Sequence, residues 1–278
     1  MKPRVMSLVI FTCAVGLLTS NSNTNITDAM IGITLVALGA GAAGCLNMWY
    51  EADLDALMTR TCLRPIPTGK INKKQALVFG IFLTVFSVST LNYFANTLSA
   101  MLLLFTILFY LFVYTIWLKR ITPQNIVIGG VAGSLPPVIG WTIATNSISL
   151  ASISLFLIIF LWTPSHFWAL SLYKADDYKK AKIPMMPLTN GIEKTKIYIF
   201  IYSLLMLPVI ILPYAINFSG LVYLIPAMML TIYYNFMCYD LYKHKKNKFV
   251  LKKAKKVFGY SILYLFLIFV LFLIDNLI

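Results

Sequence analysis

Charged residues are scarce in this sequence, and acidic residues are the scarcest of them. Asp, Glu, Lys and Arg make up 12% of the 278 residues, whereas they make up about a quarter of an ordinary soluble domain. Nine residues are Asp or Glu, against 23 Lys and Arg. This composition excludes a soluble globular domain of the usual kind, and it makes the position of each acidic residue informative.

The four cysteines do not form a motif. Cys13, Cys45, Cys62 and Cys238 have no paired spacing, which indicates neither a disulfide framework nor a metal site. The basic excess gives a net charge of +14, which in a soluble protein would suggest nucleic acid. In a chain that is 60% hydrophobic, anionic lipid headgroups and the positive-inside rule explain that charge better. We therefore expect the lipid bilayer as a partner, and no nucleic acid.

Long apolar runs are abundant, and a run of about twenty residues can cross the ~30 Å hydrocarbon core of a bilayer. We predict an all-α, polytopic transmembrane helical bundle that forms a single membrane-embedded domain over residues 1–278. A signal peptide is the alternative for the first run, but no A-x-A-like cleavage site follows it. The nine predicted helices are Val5–Leu18, Ala29–Leu46, Ala76–Ala95, Ser99–Leu118, Ile126–Ile143, Leu150–Leu170, Ile197–Ile216, Leu221–Tyr239 and Val257–Ile274.

Prolines interrupt two of these predicted helices. Pro136 and Pro137 lie in the fifth, and Pro208 and Pro213 lie in the seventh. Proline removes a backbone hydrogen bond and clashes with the preceding turn, so we expect it to kink or break a helix.

The basic residues divide the chain into alternating loops. All 23 lie in the N-terminal segment and in four further segments, Arg60–Lys74, Lys119–Arg120, Lys174–Lys196 and Lys243–Lys256. The intervening loops and the C-terminal tail contain none. Because cytoplasmic loops carry the excess of Lys and Arg, nine crossings with a cytoplasmic N-terminus and an external C-terminus predict this partition.

An acidic cluster follows the second apolar run. Asn47, Glu51 and Asp55 recur every four residues, a step of about 400° on a helix, so they form one polar ridge from which Asp53 points away. Carboxylates at the end of a membrane helix are costly unless something binds them. Carboxylate and amide oxygens suit magnesium, and this cluster is the first candidate metal site.

Basic residues come directly after this ridge. Arg60, Arg64 and Lys70 follow within a turn or a loop, and they could bind phosphate oxygens while the carboxylates hold a metal. A solvated helix end with local salt bridges is the alternative. On either interpretation, the charges are expected to meet at one membrane surface.

A second cluster repeats this composition in the segment LYKADDYKKAKIPMMP, Leu172–Pro187. Asp176 and Asp177 are adjacent there, with Lys174 just before them and further lysines after. The charge partition predicts the same membrane face for both clusters. Two halves of a bundle could therefore bring them together as a joint metal–phosphate site.

The two histidines differ in their surroundings. His166 lies in TPSHFWAL near the predicted inner end of the sixth helix, and His244 lies in the basic run KHKKNK. His166 is a candidate substrate-binding residue, with hydrogen-bonded packing as the alternative. For His244, a solvated basic loop is the better explanation.

Several of these stretches resemble a known family. The pattern N-x-x-x-(D/E)-x-D-x-D followed by RTxxRPxPTG, from Asn47 to Gly69, is similar to the first Asp-rich motif of the UbiA-type membrane prenyltransferases. The closer resemblance is to the members that farnesylate heme. It extends to about residue 190, and the last three helices resemble the family in hydropathy only. The supporting stretches are Lys2–Thr12, Tyr114–Trp141, Thr163–Tyr178 and Ile183–Pro187.

The resemblance implies a reaction. A farnesyl group would pass from farnesyl diphosphate to the 2-vinyl group of heme B, with addition of water, to give heme O and diphosphate. Leaving-group stabilisation by metal and fixed charge would supply the catalysis, and no protein nucleophile would be needed. An aromatic or quinone-precursor acceptor is the alternative within the family, and a transporter is the alternative outside it.

The resemblance also implies roles for individual residues. Asn47, Glu51 and Asp55 would hold magnesium, with Asp53 as a weaker candidate and Asp176 or Asp177 completing a second position. The catalytic set is Asn47, Glu51, Asp55, Arg60 and Arg64. The expected substrate-binding residues are Lys70, Lys119, Arg120, His166 and Lys174.

The chain departs from the family pattern at Glu51, where many members carry Asp. The extra methylene keeps the charge, so we expect ligation with a shifted geometry. We interpret the start of the chain, almost at the KPRV stretch, as leaving no room for a leader. This favours a bacterial cytoplasmic (inner) membrane over the mitochondrial inner membrane, with a downstream heme-modifying membrane enzyme as a partner to consider.

Overall fold

The computed structural model describes residues 3–20, 22, 24–245 and 247–278, and their regular secondary structure is entirely helical. Lys2 and Lys246, which were counted in the charge partition, lie outside the described residues. The helices are α1 (Pro3–Leu18), α2 (Ile26–Tyr50), α3 (Ala52–Leu57), α4 (Lys73–Phe94), α5 (Thr97–Leu108), α6 (Asn125–Ser134), α7 (Pro136–Thr145), α8 (Leu150–Tyr173), α9 (Ala175–Lys180), α10 (Met186–Thr189), α11 (Gly191–Ala215), α12 (Leu221–Lys243) and α13 (Asn247–Leu277).

Within the described residues, eight helical segments are long and apolar enough to cross a membrane. The first predicted span corresponds to a shorter apolar helix, Met6–Leu18. The predicted all-α, polytopic membrane architecture is therefore confirmed. The eight segments are Ile26–Tyr50, Lys73–Phe94, Thr97–Arg120, Asn125–Thr145, Leu150–Tyr173, Gly191–Ala215, Leu221–Lys243 and Lys248–Leu277.

The prolines act differently in the two helices where a break was expected. Helix α6 ends at Ser134 and α7 begins at Pro136, so the fifth predicted span is indeed two helices. Proline fits the first turn of α7, because an N–H at that position has no partner within the helix and its loss breaks no hydrogen bond. Pro208 and Pro213, by contrast, lie inside α11, which runs without a break from Gly191 to Ala215.

The fourth predicted span contains a π-helix that the sequence pattern did not reveal. Helix α5 continues as a π-helix over Phe109–Trp117 and ends in a 3-10 turn over Leu118–Arg120. Within it, Thr115 Oγ1 donates to the carbonyl of Tyr110, 2.8 Å away. π-Helical turns are rare and frequently occur at functional sites. This one leads directly into Lys119 and Arg120.

The apolar interior has two parts. One core joins α8, α11, α12 and α13, and the other joins α1, α2, α4, α5 and α7. Helices α1 and α7 cross at very short range, because a Cβ on Gly16 would overlap the Pro137 carbonyl and one on Gly140 would overlap the Cys13 carbonyl. Small residues permit such close approach between membrane helices.

Contacts at one end of the bundle join the basic segments. Arg120 pairs with Asp53, Thr59 bonds Asp177, and Lys196 Nζ donates to the His244 carbonyl. These bonds connect the loops after the second, fourth, sixth and eighth predicted spans, so four basic segments share an end. Which side of the membrane this end faces stays a prediction.

Candidate active site

The acidic ridge lies where α2 meets α3. Glu51 separates the two helices with φ −90° and ψ 13°, but the helical bonding continues through it. The Glu51 N–H bonds the Asn47 carbonyl at 2.9 Å, and the Asp55 N–H bonds the Glu51 carbonyl at 2.8 Å. Asn47, Glu51 and Asp55 therefore keep one face, and each is at most 1% exposed. Asp53 lies outside that face, with 52% of its side chain exposed.

Each buried carboxylate of the ridge has a cation beside it. Arg64 Nη1 lies 2.7 Å from both carboxylate oxygens of Asp55, and Lys119 Nζ lies 2.5 Å from Glu51 Oε1. The Glu51 contact is an ion pair without hydrogen-bond geometry, since Oε1 is buried and receives no hydrogen bond. A buried charge is tolerated only when it is paired. The two cations therefore offset part of the cost of burying Asp55 and Glu51.

The amide of the ridge is fixed from the π-helix. Asn47 Nδ2 donates to Thr115 Oγ1 at 2.9 Å, with both side chains buried. The Thr115 hydroxyl in turn donates to the Tyr110 carbonyl five residues earlier. The π-helical turn therefore positions the first member of the ridge.

Asp53 and Arg120 form a separate, exposed pair. Arg120 Nη2 lies 3.1 Å and 3.2 Å from the two Asp53 oxygens. Partial burial raises the pKa of Asp53, but hydrogen bonds from Arg120 and the backbone, together with the Arg120 charge, outweigh it and leave the pKa lowered. Exposed pairs contribute little to stability. Asp53 is thus ionised at the rim of the site, not in its interior.

The second cluster divides its two carboxylates between the interior and the surface. Asp177 is 8% exposed and accepts a 2.7 Å hydrogen bond from Thr59 Oγ1. Its other oxygen, Oδ2, is buried without a hydrogen-bond partner. Asp176 is exposed on α9, and Lys174, at the end of α8, is half-buried. The structure therefore brings Asp177, and not Asp176, against the segment that follows the ridge.

Two tyrosines beside these charges, the half-buried Tyr114 and the buried Tyr178, were not singled out from the sequence. The Arg60 charge acts on both Tyr114 and Tyr178. Burial raises the pKa of Tyr178, and Arg60 offsets this only in part, so its phenol is neutral and can donate a hydrogen bond. Tyr178 directly follows the acid pair in the sequence, which is the signal that could have identified it. Arg60 and Lys70 are themselves exposed.

The two histidines lie in very different places. His166, in α8, stacks between Trp162 and Phe258 at centroid distances of 4.2 Å and 4.6 Å, and its Nδ1 lies 2.7 Å from Ser261 Oγ. His244 lies between α12 and α13, where its Nδ1 contacts the Asp240 carbonyl at 2.7 Å.

The oxygen atoms of the site suit a hard divalent cation, although no ligand cluster is assembled around one. No group of three His, Cys, Asp or Glu is close enough to share a metal among the described residues. Asp177 Oδ2 is nevertheless buried without a hydrogen-bond donor, which is the environment an oxygen-ligated cation would satisfy. Glu51 Oε1 is paired with Lys119, and both oxygens of Asp55 contact Arg64. The donor set thus fits magnesium, provided that Lys119 releases Glu51 and Arg64 releases Asp55.

The site is thus a buried acidic ridge with paired cations at one end of an all-helical membrane bundle, and comparison with known proteins assigns the chain to the UbiA prenyltransferase family. The model of that family matches residues 8–262, and the chain belongs to it. Among curated proteins, the chain is 77% identical over 276 residues to the protoheme IX farnesyltransferase of Pelagibacter ubique (strain HTCC1062), covering 99% of this chain and 91% of that protein. It is 52% identical to protoheme IX farnesyltransferase 2 of Mesorhizobium japonicum, covering 99% and 88%.

Solved structures share the fold at low sequence identity. A digeranylgeranylglyceryl phosphate synthase superposes with a TM-score of 0.81 at 19% identity, over 99% of this chain and 94% of that one. A UbiA homolog from Archaeoglobus fulgidus bound to DMAPP and Mg²⁺ gives a TM-score of 0.67 at 16% identity, over 96% and 97%. The predicted family and fold class are therefore confirmed.

Proposed function

We propose that this chain transfers a farnesyl group from farnesyl diphosphate to the 2-vinyl group of heme B, with addition of water, giving heme O and diphosphate. The observation that carries the proposal is the 77% identity, over 99% of this chain, to a protoheme IX farnesyltransferase. The buried ridge of Asn47, Glu51 and Asp55 also supports it, because its oxygen atoms suit Mg²⁺. The UbiA homolog from Archaeoglobus fulgidus, which shares the fold, was solved with Mg²⁺ and a prenyl diphosphate.

Magnesium is the proposed cofactor. Asn47, Glu51 and Asp55 would hold it from one side and Asp177 from the other, with Asp53 and Asp176 as outer candidates at the exposed rim. When bound, the ion would neutralise charge that develops on the departing diphosphate. Asp177 supports this arrangement because its buried Oδ2 has no hydrogen-bond donor.

The basic residues would bind the diphosphate oxygens. Arg64 and Lys119 lie on the buried carboxylates, so they stand where a bridging diphosphate would be held. Arg60, Lys70, Arg120 and Lys174 lie nearer the surface and would attract the anion to the site. Guanidinium groups suit this role because their planar donors match phosphate oxygens in pairs.

The reaction needs no covalent intermediate with the protein. The allylic C–O bond breaks with its electron pair leaving on the diphosphate, and the heme vinyl group forms the new C–C bond with the resulting cation. Water then adds to the cation on the porphyrin side and releases a proton, leaving a hydroxyethyl carbon. The chain's part is to stabilise the leaving group and to keep water from the allylic cation until the C–C bond has formed.

The remaining assignments belong to the same proposal. His166 would contact heme B, the bilayer would hold both lipophilic substrates, and a heme-modifying membrane enzyme would receive the product. The bacterial relatives favour a bacterial cytoplasmic membrane, and the charge partition favours the cytoplasmic side for the site.

The test is a reconstituted reaction. Purified protein given farnesyl diphosphate, heme B and Mg²⁺ should yield a porphyrin heavier by one hydroxyfarnesyl unit, together with stoichiometric diphosphate. Chelator and the Asp55→Ala variant should each abolish both products. Prenylation of an aromatic acid in place of heme would overturn the choice of acceptor. Vesicle flux without diphosphate release would overturn the enzyme itself in favour of a transporter.

A further inference from the structure

The hydrogen bond of His166 defines which ring nitrogen carries the proton. Ser261 Oγ lies 2.7 Å from the Phe258 carbonyl oxygen and 2.7 Å from His166 Nδ1. Two oxygens this close repel unless a hydrogen lies between them, and a carbonyl has none to give. The single hydroxyl proton of Ser261 therefore points at Phe258, and His166 Nδ1 must be the donor to Ser261.

This tautomer leaves Nε2 as the nitrogen that can bind a ligand. In a neutral imidazole with the proton on Nδ1, Nε2 carries a free lone pair. Among the described residues, the hydrogen bond of the His166 ring is the one at Nδ1. Trp162 and Phe258 cover both faces of the ring, but the residue is 7% exposed and Nε2 keeps some accessible surface, so this edge of the ring is reachable.

The ring is held rigidly at this position. Trp162, which stacks on the imidazole, also donates from Nε1 to the Ser261 carbonyl at 2.8 Å. Helices α8 and α13 are thus joined through both the indole and the imidazole. A lone pair oriented by packing and by a hydrogen bond on the opposite nitrogen is the usual arrangement of a metal-binding histidine.

The position is continuous with the acidic site. The Phe258 ring contacts both the His166 ring, at 4.6 Å, and the Tyr173 ring, at 5.7 Å. Tyr173 lies within electrostatic reach of Arg60 and Tyr178. A flat ligand bound at the His166 edge could therefore extend along Phe258 and Tyr173 towards the charged cluster.

We propose that His166 Nε2 is the axial ligand to the iron of the heme substrate, and that Ser261 is the positioning residue that fixes its tautomer. This inference rests on the proposed function, since it takes heme B as the acceptor. Iron held at the α8–α13 contact would fix the porphyrin in orientation, so that one vinyl edge faces the diphosphate site. Ser261 acts only through His166 and touches no reacting atom.

The experiment is a titration of the purified full chain with ferric heme B, without farnesyl diphosphate, followed by absorption and electron paramagnetic resonance. The protein should carry a streptavidin-binding tag, because a polyhistidine tag would supply imidazole. The chain contains two histidines, so His244→Ala should retain the histidine-ligated spectrum of the wild type. His166→Phe keeps a stacking ring between Trp162 and Phe258 but removes both nitrogens, and it should lose that spectrum.

Ser261 is tested against a matched serine in α8. Ser171 is buried and donates to the Trp168 carbonyl three residues earlier, the same local bond that Ser261 makes in α13. Ser261→Ala should weaken heme binding about tenfold, in the range measured for outer-shell partners of metal ligands, whereas Ser171→Ala should not. Ser261→Thr, which keeps the hydroxyl, should restore the affinity. Gel filtration and thermal melting confirm that each variant is folded.

The outcomes separate the two proposals. Heme binding with an unchanged spectrum in folded His166→Phe would overturn the axial ligand while leaving heme as the substrate. Wild-type affinity and spectrum in Ser261→Ala would overturn the positioning role. If the wild type binds no heme at all, the proposed function fails and the inference fails with it. If His166→Phe does not fold, His166→Gly with added free imidazole replaces it in the titration. Recovery of the histidine-ligated spectrum on addition of imidazole supports the proposal, and no recovery in a folded variant overturns it.

Discussion

At the scale of single residues, the two buried carboxylates of the ridge each depend on one cation. Arg64 and Lys119 neutralise Asp55 and Glu51 at 2.7 Å and 2.5 Å. The same cations are the ones proposed to bind diphosphate. When the substrate arrives with its metal, they would exchange carboxylate oxygens for phosphate oxygens, so the carboxylates would never be left without positive charge.

This dependence predicts an asymmetry between the two members of the Asp55–Arg64 pair. Arg64→Gln leaves a buried, unpaired carboxylate, and breaking such a pair from one side costs about 3–5 kcal/mol. We expect its thermal midpoint to fall clearly. The thermal midpoint of Asp55→Asn should fall less, because the Arg64 side chain is 22% exposed and can turn towards water.

The double variant Arg64→Gln/Asp55→Asn is the control. It removes both charges, so its midpoint should recover above that of Arg64→Gln while diphosphate release stays abolished. Equal destabilisation by the double variant and by Arg64→Gln would contradict the pairing as the cause.

The second acidic pair gives a direct comparison between neighbours. Asp177→Asn removes a buried charge next to Thr59, whereas Asp176→Asn changes an exposed one. We expect diphosphate release to fall by about 10²-fold or more for Asp177→Asn, the size of effect that losing one electrostatic contact to a transition state produces. Asp176→Asn should remain within a few-fold of the wild type. Initial rates of diphosphate release at saturating farnesyl diphosphate measure both, and a larger loss for Asp176→Asn would reverse the assignment.

The ridge could be predicted from the sequence, but the partners of its members could not. A spacing of four residues predicts a shared helix face, and Asn47, Glu51 and Asp55 are indeed buried together while Asp53 is exposed. The contact between Asn47 and Thr115 joins residues 68 positions apart. Such pairs are set by how helices pack, and one sequence carries no periodic signal for them. For the same reason Asp176 and Asp177 could not be distinguished before the structure.

At the scale of helices, the positions of the apolar spans were predictable and their internal irregularities were not. The break at Pro136 follows from proline chemistry. The unbroken course of α11 through Pro208 and Pro213 does not, because neighbouring helices can accommodate the freed carbonyl groups. The π-helix at Phe109–Trp117 has no signature in an apolar run. Its importance is local, because it places Thr115 against Asn47 and leads into the 3-10 turn that carries Lys119.

The crossing of α1 and α7 predicts a position where the smallest possible change is severe. A Cβ at Gly140 would meet the backbone carbonyl of Cys13, and backbone cannot move aside as a side-chain end can. Gly140→Ala should therefore separate the two helices and lower the thermal midpoint and yield in membranes.

Gly133→Ala, in the neighbouring helix α6, is the matched control, since nothing lies within 4 Å of the added methyl group. It should behave as the wild type or melt slightly higher, because alanine favours helix over glycine by about 1 kcal/mol. Equal behaviour of the two variants in a melting assay would show that the crossing is not as close as described.

At the scale of the whole molecule, two hydrogen bonds at the charged end of the bundle join distant parts of the chain. Thr59, in the loop after α3, bonds Asp177 of α9, and Asn47 of α2 bonds Thr115 of the π-helix. The site is thus assembled from segments far apart in the chain. Charge counting could predict that both acidic clusters share a face, but only the fold shows that Asp177 contacts Thr59, in the segment that follows the ridge.

The same counting predicts the orientation of the molecule, and the cysteines provide a way to measure it. The charged end carries the basic segments, which the positive-inside rule assigns to the cytoplasm, with about 1 kcal/mol of attraction to anionic lipid for each Lys or Arg near the surface. Cys62 is half-buried in a loop at that end, while Cys13, Cys45 and Cys238 are buried. A membrane-impermeant maleimide should therefore label the wild type in inverted vesicles and leave intact spheroplasts unlabelled.

The opposite end needs an introduced thiol. Ser147 is exposed in the loop between α7 and α8, so Ser147→Cys in a Cys62→Ser background should label in spheroplasts and not in inverted vesicles. Labelling of both thiols from the same side would contradict the odd number of crossings between them. If Cys62 is labelled in spheroplasts and the thiol at position 147 in inverted vesicles, the fold is kept but the orientation in the membrane is the opposite of the predicted one. The diphosphate site would then face away from the cytoplasm. The labelling pattern thus decides from which side of the membrane the water-soluble diphosphate group reaches Glu51 and Asp55.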